Sequence, residues 1–413
     1  MKHNHFSKQR LLWLPVVLCA LVCLLTLIVS AQSVGTVQVK QTEKKTRSVT
    51  ISWSYSGSVT KCELLRYNKE TKKYDSIGTT AKTAYTPKKL EPGDEYVLAL
   101  RPILVAGGKT TEGKLVKIRV YTTVNAVPKI TQSETTDNSH KLNWKMINGA
   151  EKYEVYYYNT TDKKFNLLGE TANNYVRMVN LKPAMLYKYR VRAISVASDG
   201  TRVKAAASKT FTAYTVPGAI KNVKTLDLTT TSYRLQWDAA AGATGYIVTR
   251  FNEETGKYEE VTKTAAPSLT VREQASGSTA YYKIRAYATL QDVNRKGAET
   301  NVLPVTTKPL TVSPKFVSGD PARAKIKIKW TPNEQCDGYR IFVTETEGKD
   351  LTMAAEVPVA TTKTVVVKLP KKCNKTYIYM QTYIVTEQGR VYSDYSSPLV
   401  VSTPAEPTTA KGK

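Results

Sequence analysis

The chain has 413 residues, 41% of them hydrophobic and 23% charged, with a formal net charge of +27 at pH 7. This length is too great for one hydrophobic core and predicts several domains, while the apolar content excludes wholesale disorder. The 26 tyrosines, together with abundant threonine and valine, favour strands over helices.

The N-terminal segment 1–31 has the pattern of a signal peptide. Three basic residues and no acidic residue precede an apolar run at 11–29, and small residues stand before the cleavage position after Ala31. The run is also long enough to cross a bilayer as a retained anchor. Both readings export the rest of the chain, and a mature protein that starts at Gln32 would indicate cleavage.

Tryptophan recurs at a nearly constant spacing, which predicts internal repeats. Apart from Trp13, the tryptophans are 91, 93 and 93 residues apart: Trp53, Trp144, Trp237 and Trp330. Each lies in an alternating segment, namely VTISWSY, HKLNWKM, YRLQWDA or IKIKWTP. Period two with one apolar face predicts a strand that covers a core.

Two further elements follow each tryptophan. Nine residues later a second strand opens, at Cys62, Tyr153, Tyr246 and Tyr339. A tyrosine then stands 43 residues after the tryptophan in the first two repeats, as Tyr96 and Tyr187. In the fourth repeat Leu369 and Tyr377 are taken as this element, and in the third the position is Ala280, with Tyr281 beside it.

These residues resemble the fibronectin type III domain, whose pattern is a Trp in strand B, a Tyr in strand C and Leu-x-Pro-x-x-x-Tyr before strand F. The second repeat matches throughout, with Trp144, Tyr153, Leu181, Pro183, Tyr187, Val191 and Ala193. The others match in part, since Cys62 replaces the strand C tyrosine and Ala280 the corner tyrosine. The resemblance implies four tandem, seven-stranded, immunoglobulin-like β-sandwiches and an all-β fold.

The predicted organisation follows the repeats. The predicted segments are a signal peptide at 1–31, four fibronectin type III-like domains at 34–125, 126–216, 217–309 and 310–405, and a disordered tail at 406–413. Short linkers that contain proline predict an extended, semi-rigid array.

Candidate chemistry is sparse. His140 is the only histidine beyond the signal segment, so no Ser-His-Asp arrangement can be built without it, and it is expected to be a polar residue at a strand start. The sequence has no zinc spacing, EF-hand loop or phosphate loop. We therefore predict no catalytic, metal-binding or cofactor-binding residue and no cofactor. Four acidic residues are expected to be solvated: Glu253, Glu254, Glu259 and Glu260.

Three cysteines, Cys62, Cys336 and Cys373, lie beyond the signal segment, and an odd, sparse set is no disulfide framework. We expect Cys336 to act as a small core hydrophobe, and Cys336 and Cys373 to be free thiols rather than a bridge. Sparse cysteine in an exported chain also suggests a bacterial source.

Two surface features are candidates for binding. Tyr153 and the run Tyr156–Tyr158 form a tyrosine cluster, about half of which alternation directs outward, either as ligand contacts or as cross-strand pairs. The basic segments Lys40–Lys45 and Lys88–Lys89 could meet an anionic polymer or a lipid, or could simply be solvated. Ser318-Gly319-Asp320 is only a fragment of an Arg-Gly-Asp motif.

The sequence therefore predicts a non-enzymatic, secreted or cell-surface protein that acts as a spacer and as a binding or adhesion module. Its expected partner is a protein or glycan, or an anionic envelope polymer, but not nucleic acid, and a membrane only if the N-terminal segment is uncleaved. The alternatives are a carbohydrate-binding accessory protein, a carboxylate-only glycan hydrolase and a membrane-anchored surface protein. The binding residues and the ligand are unknown from the sequence.

Overall fold

The computed structural model describes residues 33–127, 129–321, 324–370 and 375–402. The predicted signal peptide at 1–31, the predicted tail at 406–413 and Cys373 lie outside these ranges. Within them the regular structure consists of 32 strands without an α-helix, so this part of the chain contains no helix of membrane-spanning length and hydropathy.

The strands fall into four groups of eight that follow the predicted repeats. Repeat 1 contains β1 (Thr36–Lys44), β2 (Val49–Ser56), β3 (Lys61–Asn68), β4 (Lys73–Thr80), β5 (Ala84–Tyr85), β6 (Glu95–Ala106), β7 (Lys109–Glu112) and β8 (Val116–Tyr121). Repeat 2 contains β9 (Ile130–Ser133), β10 (His140–Trp144), β11 (Lys152–Asn159), β12 (Lys164–Thr171), β13 (Tyr175–Met178), β14 (Leu186–Val196), β15 (Arg202–Lys204) and β16 (Phe211–Tyr214). Repeat 3 contains β17 (Lys224–Leu226), β18 (Tyr233–Gln236), β19 (Gly245–Asn252), β20 (Lys257–Thr264), β21 (Ser268–Val271), β22 (Thr279–Leu290), β23 (Val293–Glu299) and β24 (Leu303–Thr306). Repeat 4 contains β25 (Lys315–Asp320), β26 (Lys325–Lys329), β27 (Gly338–Thr344), β28 (Thr352–Val357), β29 (Thr364–Lys368), β30 (Lys375–Thr386), β31 (Gly389–Tyr392) and β32 (Leu399–Ser402).

All four repeats have the same sheet topology. Repeat 1 has a three-stranded sheet in the order β1-β2-β5 and a five-stranded sheet in the order β4-β3-β6-β7, with β8 also paired to β6. Every later repeat reproduces this order with the strand numbers raised by eight. The all-β prediction of four tandem sandwiches is thus confirmed, although the seventh strand of the expected fold is divided into two short strands. The residue boundaries of the domains stay predictions.

By Cα proximity the chain separates into two compact units. The first contains the described residues up to Thr131 with Leu142–Val176 and Lys188–Thr212, and the second contains Gln132–Lys141, Arg177–Tyr187 and the described residues from Ala213 onward.

The tryptophans occupy the cores, as predicted. Their exposed fractions are only 3–6%, and in repeat 1 Trp53 packs with Cys62 and Leu64 of β3 and Leu100 of β6. Repeats 3 and 4 have equivalent clusters around Trp237 and Trp330. Burial of one such side chain contributes about 5 kcal/mol before opposing terms are counted.

The strand C tyrosine of repeats 2 to 4 holds the tryptophan and the preceding loop. The ring of Tyr153 packs edge-on against Trp144 at a centroid distance of 5.4 Å. Its hydroxyl accepts a hydrogen bond of 2.8 Å from the backbone N–H of Ile147. Tyr246 and Tyr339 repeat both contacts. One residue type at one position thus fixes both the core and the loop.

The corner tyrosines of the first two repeats bond as the resemblance implies. The Tyr96 hydroxyl accepts the N–H of Glu91 at 2.7 Å, and that of Tyr187 accepts the N–H of Lys182 at 2.8 Å. In repeat 3 the position is the buried Ala280, which has no hydroxyl to offer.

The assignment of Tyr377 to this element was wrong. Strand register pairs Tyr153 with Ala193 and Tyr339 with Thr382, so Thr376 is the counterpart of Tyr187. A shift of one residue along a strand moves a side chain to the opposite face. Tyr377 accordingly packs with Phe342 and Tyr379 in a cluster separate from the core.

A buried threonine closes each of the first three repeats. The Thr122 hydroxyl donates to the Glu91 carbonyl at 2.7 Å and accepts the N–H of Asp94 at 3.0 Å. Thr215 and Thr307 make the same pair of bonds to their own corner loops. The last strand of each repeat is thereby joined to the corner.

Repeats 1 and 2 are joined within the first unit by side chains as well as by the chain itself. The Tyr121 hydroxyl donates to the Asp199 carboxylate at 2.5 Å, and the N–H of Ser198 donates to Glu95 at 3.0 Å. The hydrogen bond from Tyr121 lowers the pKa of Asp199 to about 2, so this carboxylate stays ionised. Gly149 (φ +78°) lies against Pro92, where a Cβ atom would come within 2.6 Å of the carbonyl oxygen.

Candidate functional site: the outward face of the five-stranded sheets

One long strand in each repeat pairs with strand C, which carries the buried tyrosine or cysteine. Its side chains alternate between the core and the outward side of the sheet. These strands are β6, β14, β22 and β30. Their outward positions correspond from repeat to repeat through the pairing of strand C. The outward side chains are Val97, Ala99 and Arg101 in repeat 1, Lys188, Arg190 and Arg192 in repeat 2, Tyr281, Lys283 and Arg285 in repeat 3, and Tyr377, Tyr379 and Gln381 in repeat 4. Repeat 2 alone has three cations at these positions.

The predicted tyrosine cluster of β11 divides between the two faces. Tyr153 and Tyr157 lie on the core side, where Tyr157 packs against Tyr189 at a centroid distance of 6.1 Å. Tyr156 and Tyr158 lie on the outward side. The expectation that about half of the cluster points outward is met.

The outward rings of repeat 2 are covered by the cations of β14. The Lys188 amine lies 5.6 Å from the centre of the Tyr158 ring, and the Arg190 guanidinium lies 4.3 Å from that of Phe165. Arg192 lies over Tyr156 at 5.4 Å. Such cation–π contacts on a sheet surface contribute about 0.5–1 kcal/mol each, so they fix the orientation of these side chains more than the stability of the fold.

A buried carboxylate organises one half of this surface. Glu154 is 1% exposed, although it lies on the outward side of β11. It accepts hydrogen bonds of 2.6 Å from both Lys204 and the Tyr156 hydroxyl, and Arg202 and Arg192 lie 3.6 and 3.9 Å away. Burial acts to raise the pKa of Glu154, but the bonds from Lys204 and Tyr156 outweigh it and lower that pKa overall. The carboxylate is therefore ionised and fully engaged.

The other half of the surface keeps its positive charge. Lys188 and Arg190 have aromatic partners, and in the described ranges no carboxylate lies within 4.0 Å of either cation. We name the outward side chains Glu154, Tyr156, Tyr158, Phe165, Leu167, Glu170, Lys188, Arg190, Arg192, Arg202 and Lys204 the basic face of repeat 2. Five of them are cations and two are carboxylates.

The corresponding cations in repeats 1 and 3 form ion pairs with carboxylates. In repeat 3 Glu299 pairs with both Lys283 at 3.5 Å and Arg285 at 2.9 Å. In repeat 1 Arg101 pairs with Glu63 and Glu112 at 3.3 and 2.9 Å.

Repeat 4 has a buried aromatic cluster at these positions instead. Phe342, Tyr377 and Tyr379 are 5–8% exposed, and the Tyr379 hydroxyl accepts the N–H of Gly348 at 2.8 Å. The same fold thus carries four chemically different faces.

His140 occupies a strand start, as expected, but it is fully buried rather than a polar surface residue. It begins β10, and its ring centre lies 5.9 Å from that of Tyr187. Burial lowers the pKa of its imidazole to about 4, and a hydrogen bond with the backbone of Tyr214 acts in the opposite direction. At neutral pH this residue is an uncharged core side chain.

The acidic candidates are exposed, and three of them, Glu253, Glu254 and Glu259, line one open depression beside Tyr281. Glu253 and Glu254 lie in the turn after β19, and Glu259 and Glu260 lie in β20. Hydrogen bonds from Asn252 and Thr255 lower the pKa of Glu259, the opposite of what a general acid requires.

The basic segments of repeat 1 are exposed. Lys45 pairs with Glu43 at 2.8 Å, and Lys44 lies 5.7 Å from the centre of the Tyr121 ring. Lys40, Lys88 and Lys89 are exposed as well.

Two further candidates are placed by the structure. Cys336 is buried, as predicted, and burial raises the pKa of its thiol. Cys62 and Cys336 are free thiols, whereas the predicted state of Cys373 lies outside the described residues. Ser318, Gly319 and Asp320 lie within strand β25.

Sequence reasoning found the tyrosines of the basic face but missed Glu154, Lys188 and Arg190. The alternating cations of KYRVR could have indicated an outward basic row. No group of three or more His, Cys, Asp or Glu side chains in the described part of the chain is placed to hold a metal ion.

Comparisons with known proteins agree with the architecture. The fibronectin type III domain family matches residues 125–209. Exoglucanase B of Cellulomonas fimi is 28% identical over 287 residues, which cover 63% of this chain and 24% of that protein. Human receptor-type tyrosine-protein phosphatase H is 27% identical over 223 residues, covering 52% of this chain and 19% of that protein. The chain thus spans about a quarter and a fifth of the length of these relatives.

Two solved structures align with parts of the chain at low TM-scores. The FN1–FN3 domains of chicken CNTN1 align over 67% of this chain and 99% of that one, with 13% identity and a TM-score of 0.27. A two-domain segment of chicken tenascin aligns over 44% and 100%, with 14% identity and a TM-score of 0.32. The family match identifies residues 125–209 as a fibronectin type III domain, and the other three repeats share its strand order.

Proposed function

We propose that the chain is an exported, non-enzymatic protein that acts as a spacer and binding module at the cell surface or envelope. The observation that carries this proposal is the variation of the outward triplets on a constant sandwich. The tryptophan and the strand C residue stay buried in every repeat, whereas the positions on the other side of the sheet change from Val97, Ala99 and Arg101 to a row of cations and then to buried tyrosines. Side chains that only cover a sheet have no need to differ in this way.

Export rests on the apolar segment that precedes the first repeat. Fractionation of the producing cells, followed by N-terminal sequencing of the recovered chain, tests it. Recovery outside the cytoplasmic membrane with Gln32 first supports secretion, and recovery from the membrane with an intact N-terminus supports the anchored form. Recovery from the cytosol would refute export.

The binding role is tested with isolated envelope material. The full chain should sediment with envelope polymers, while a bacterial cytosolic extract should retain none of it. A screen on wall and plant glycans separates binding from hydrolysis, because turnover of any of them would contradict the non-enzymatic part of the proposal.

A glycan partner is the candidate that the comparisons bring forward. The matched part of Exoglucanase B is about a quarter of that protein. Its name describes an enzyme that acts on a glucan, and repeats similar to those of this chain form part of it. For this chain we propose contact with a glycan and not its cleavage.

A further inference from the structure

We infer that the basic face of repeat 2 binds an acidic polysaccharide, whose carboxylates are held by Lys188 and Arg190. This inference rests on the proposed binding role and names its partner and its site.

Lys188 and Arg190 point to the same side of β14. They are at positions i and i+2 of the strand, so their Cα atoms are about 6.7 Å apart along it. No carboxylate in the described ranges forms an ion pair with either of them. Two adjacent cations without counter-charges attract a partner that carries repeated negative charges. An extended polymer suits the face because the sheet offers a surface rather than a pocket.

Ion pairs with Glu154 determine which cations of the basic face remain available to a ligand. Glu154 engages Lys204, Arg202 and Arg192, and Arg202 also pairs with Glu170. These three cations share two carboxylates within the protein. The contact with a polyanion is therefore expected at the other half of the face, where Lys188 and Arg190 lie.

The surface beside these cations is apolar. Leu167 is 51% exposed there, while the rings of Tyr158 and Phe165, whose centroids are 5.2 Å apart, lie beneath Lys188 and Arg190 and support them. Sugar rings combine hydroxyl groups with apolar C–H faces, which pack against aromatic and aliphatic side chains. A polysaccharide with a carboxylate on each sugar uses both parts of this surface, whereas a small anion uses only the cations.

Repeat 3 supplies a matched control. Lys283 and Arg285 occupy positions equivalent to Arg190 and Arg192, but both form ion pairs with Glu299. Substitution of this pair removes the same number of cations from the chain. The two double variants therefore have the same net charge, but only K188A/R190A alters the proposed binding site.

The test measures binding of the full chain to polygalacturonic acid, with uncharged dextran as the reference polymer. We expect K188A/R190A to bind polygalacturonic acid about tenfold more weakly than the parent, since each cation near a polyanion contributes about a factor of five or less. K283A/R285A should change the affinity less than about twofold, and dextran should bind none of the three proteins. Raised salt should weaken parent binding, because exposed charges are screened. Unchanged hydrogen exchange in β14 confirms that the variant is folded.

Four results would overturn the inference. Equal losses in both double variants would assign binding to the overall charge, and equal binding of dextran would remove the role of the carboxylates. Tighter binding of single-stranded DNA or of anionic lipid vesicles through the same two residues would assign the face to another class of partner. If K188A/R190A still sediments with envelope material as the parent does, this inference fails while the proposed function stands.

Discussion

The stability of repeat 2 should depend on pH through one buried histidine. The His140 side chain has no exposed surface, and burial lowers its pKa from an ordinary value of 6.5 to about 4. As the pH falls below 6.5, the His140 imidazole becomes protonated in the unfolded chain. In the folded repeat it stays neutral until the pH reaches about 4. Stability is therefore fully present above pH 6.5 and is lost as the pH falls towards 4.

The difference between the two pKa values sets the magnitude. It corresponds to a loss of about 2 kcal/mol at pH 5 and about 3 kcal/mol at pH 4, relative to pH 7. In H140F the hydrophobic contact with Tyr187 is kept and the titrating group is removed. Acidic side chains also titrate below pH 5, so the quantity of interest is the difference between the parent and H140F.

Hydrogen exchange during a urea titration, read by mass spectrometry, resolves the repeats in one sample. Peptides from 130–214 report on repeat 2, and peptides from 224–306 are an internal control because repeat 3 contains no histidine. The urea midpoint of repeat 2 should fall between pH 7 and pH 5 in the parent and not in H140F. A parallel fall in both proteins, or none in either, would refute the burial argument.

Three further substitutions test the framework and the joint. Trp144→Ala should destabilise repeat 2 by about 3–5 kcal/mol and make it the first to unfold; thermal unfolding unchanged by the substitution would exclude a core role. Thr307→Val removes the hydroxyl that accepts the N–H of Ser278 and should cost about 1–3 kcal/mol in the urea midpoint of repeat 3 alone; a normal midpoint would mean that the corner holds without it. Tyr121→Phe and Asp199→Asn should each speed amide exchange in the hairpin between β14 and β15 and not elsewhere in repeat 2, and a double variant no faster than either single variant would confirm that the two side chains act together.

The framework was readable from the sequence because it is local and periodic. The spacing of the tryptophans, nine residues before a tyrosine in three repeats, predicted strands, cores and a repeated fold. The same reasoning failed at Tyr377, where a longer connection moved a tyrosine by one residue to the outer face. Sequence spacing alone does not fix register, whereas the pairing with β27 does.

The candidate site was less predictable because its contacts are remote in sequence. Lys204 meets Glu154 across 50 residues, and a glutamate in a strand gives no sign that it will be 1% exposed. Among the described residues no carboxylate pairs with Lys188 or Arg190, and this property of the whole sheet could be seen only once the neighbouring strands were in place.

The bond between Tyr121 and Asp199 has a mechanical consequence. A tensile load applied along the chain passes through the linker between β8 and β9, yet this bond and the one from Ser198 to Glu95 bridge the same two repeats beside the linker. We expect stretching to peel the hairpin away from repeat 1 at low force, before either sandwich unravels. The joint would then act as a small, reversible extension that absorbs sudden strain and leaves the cores of both repeats intact.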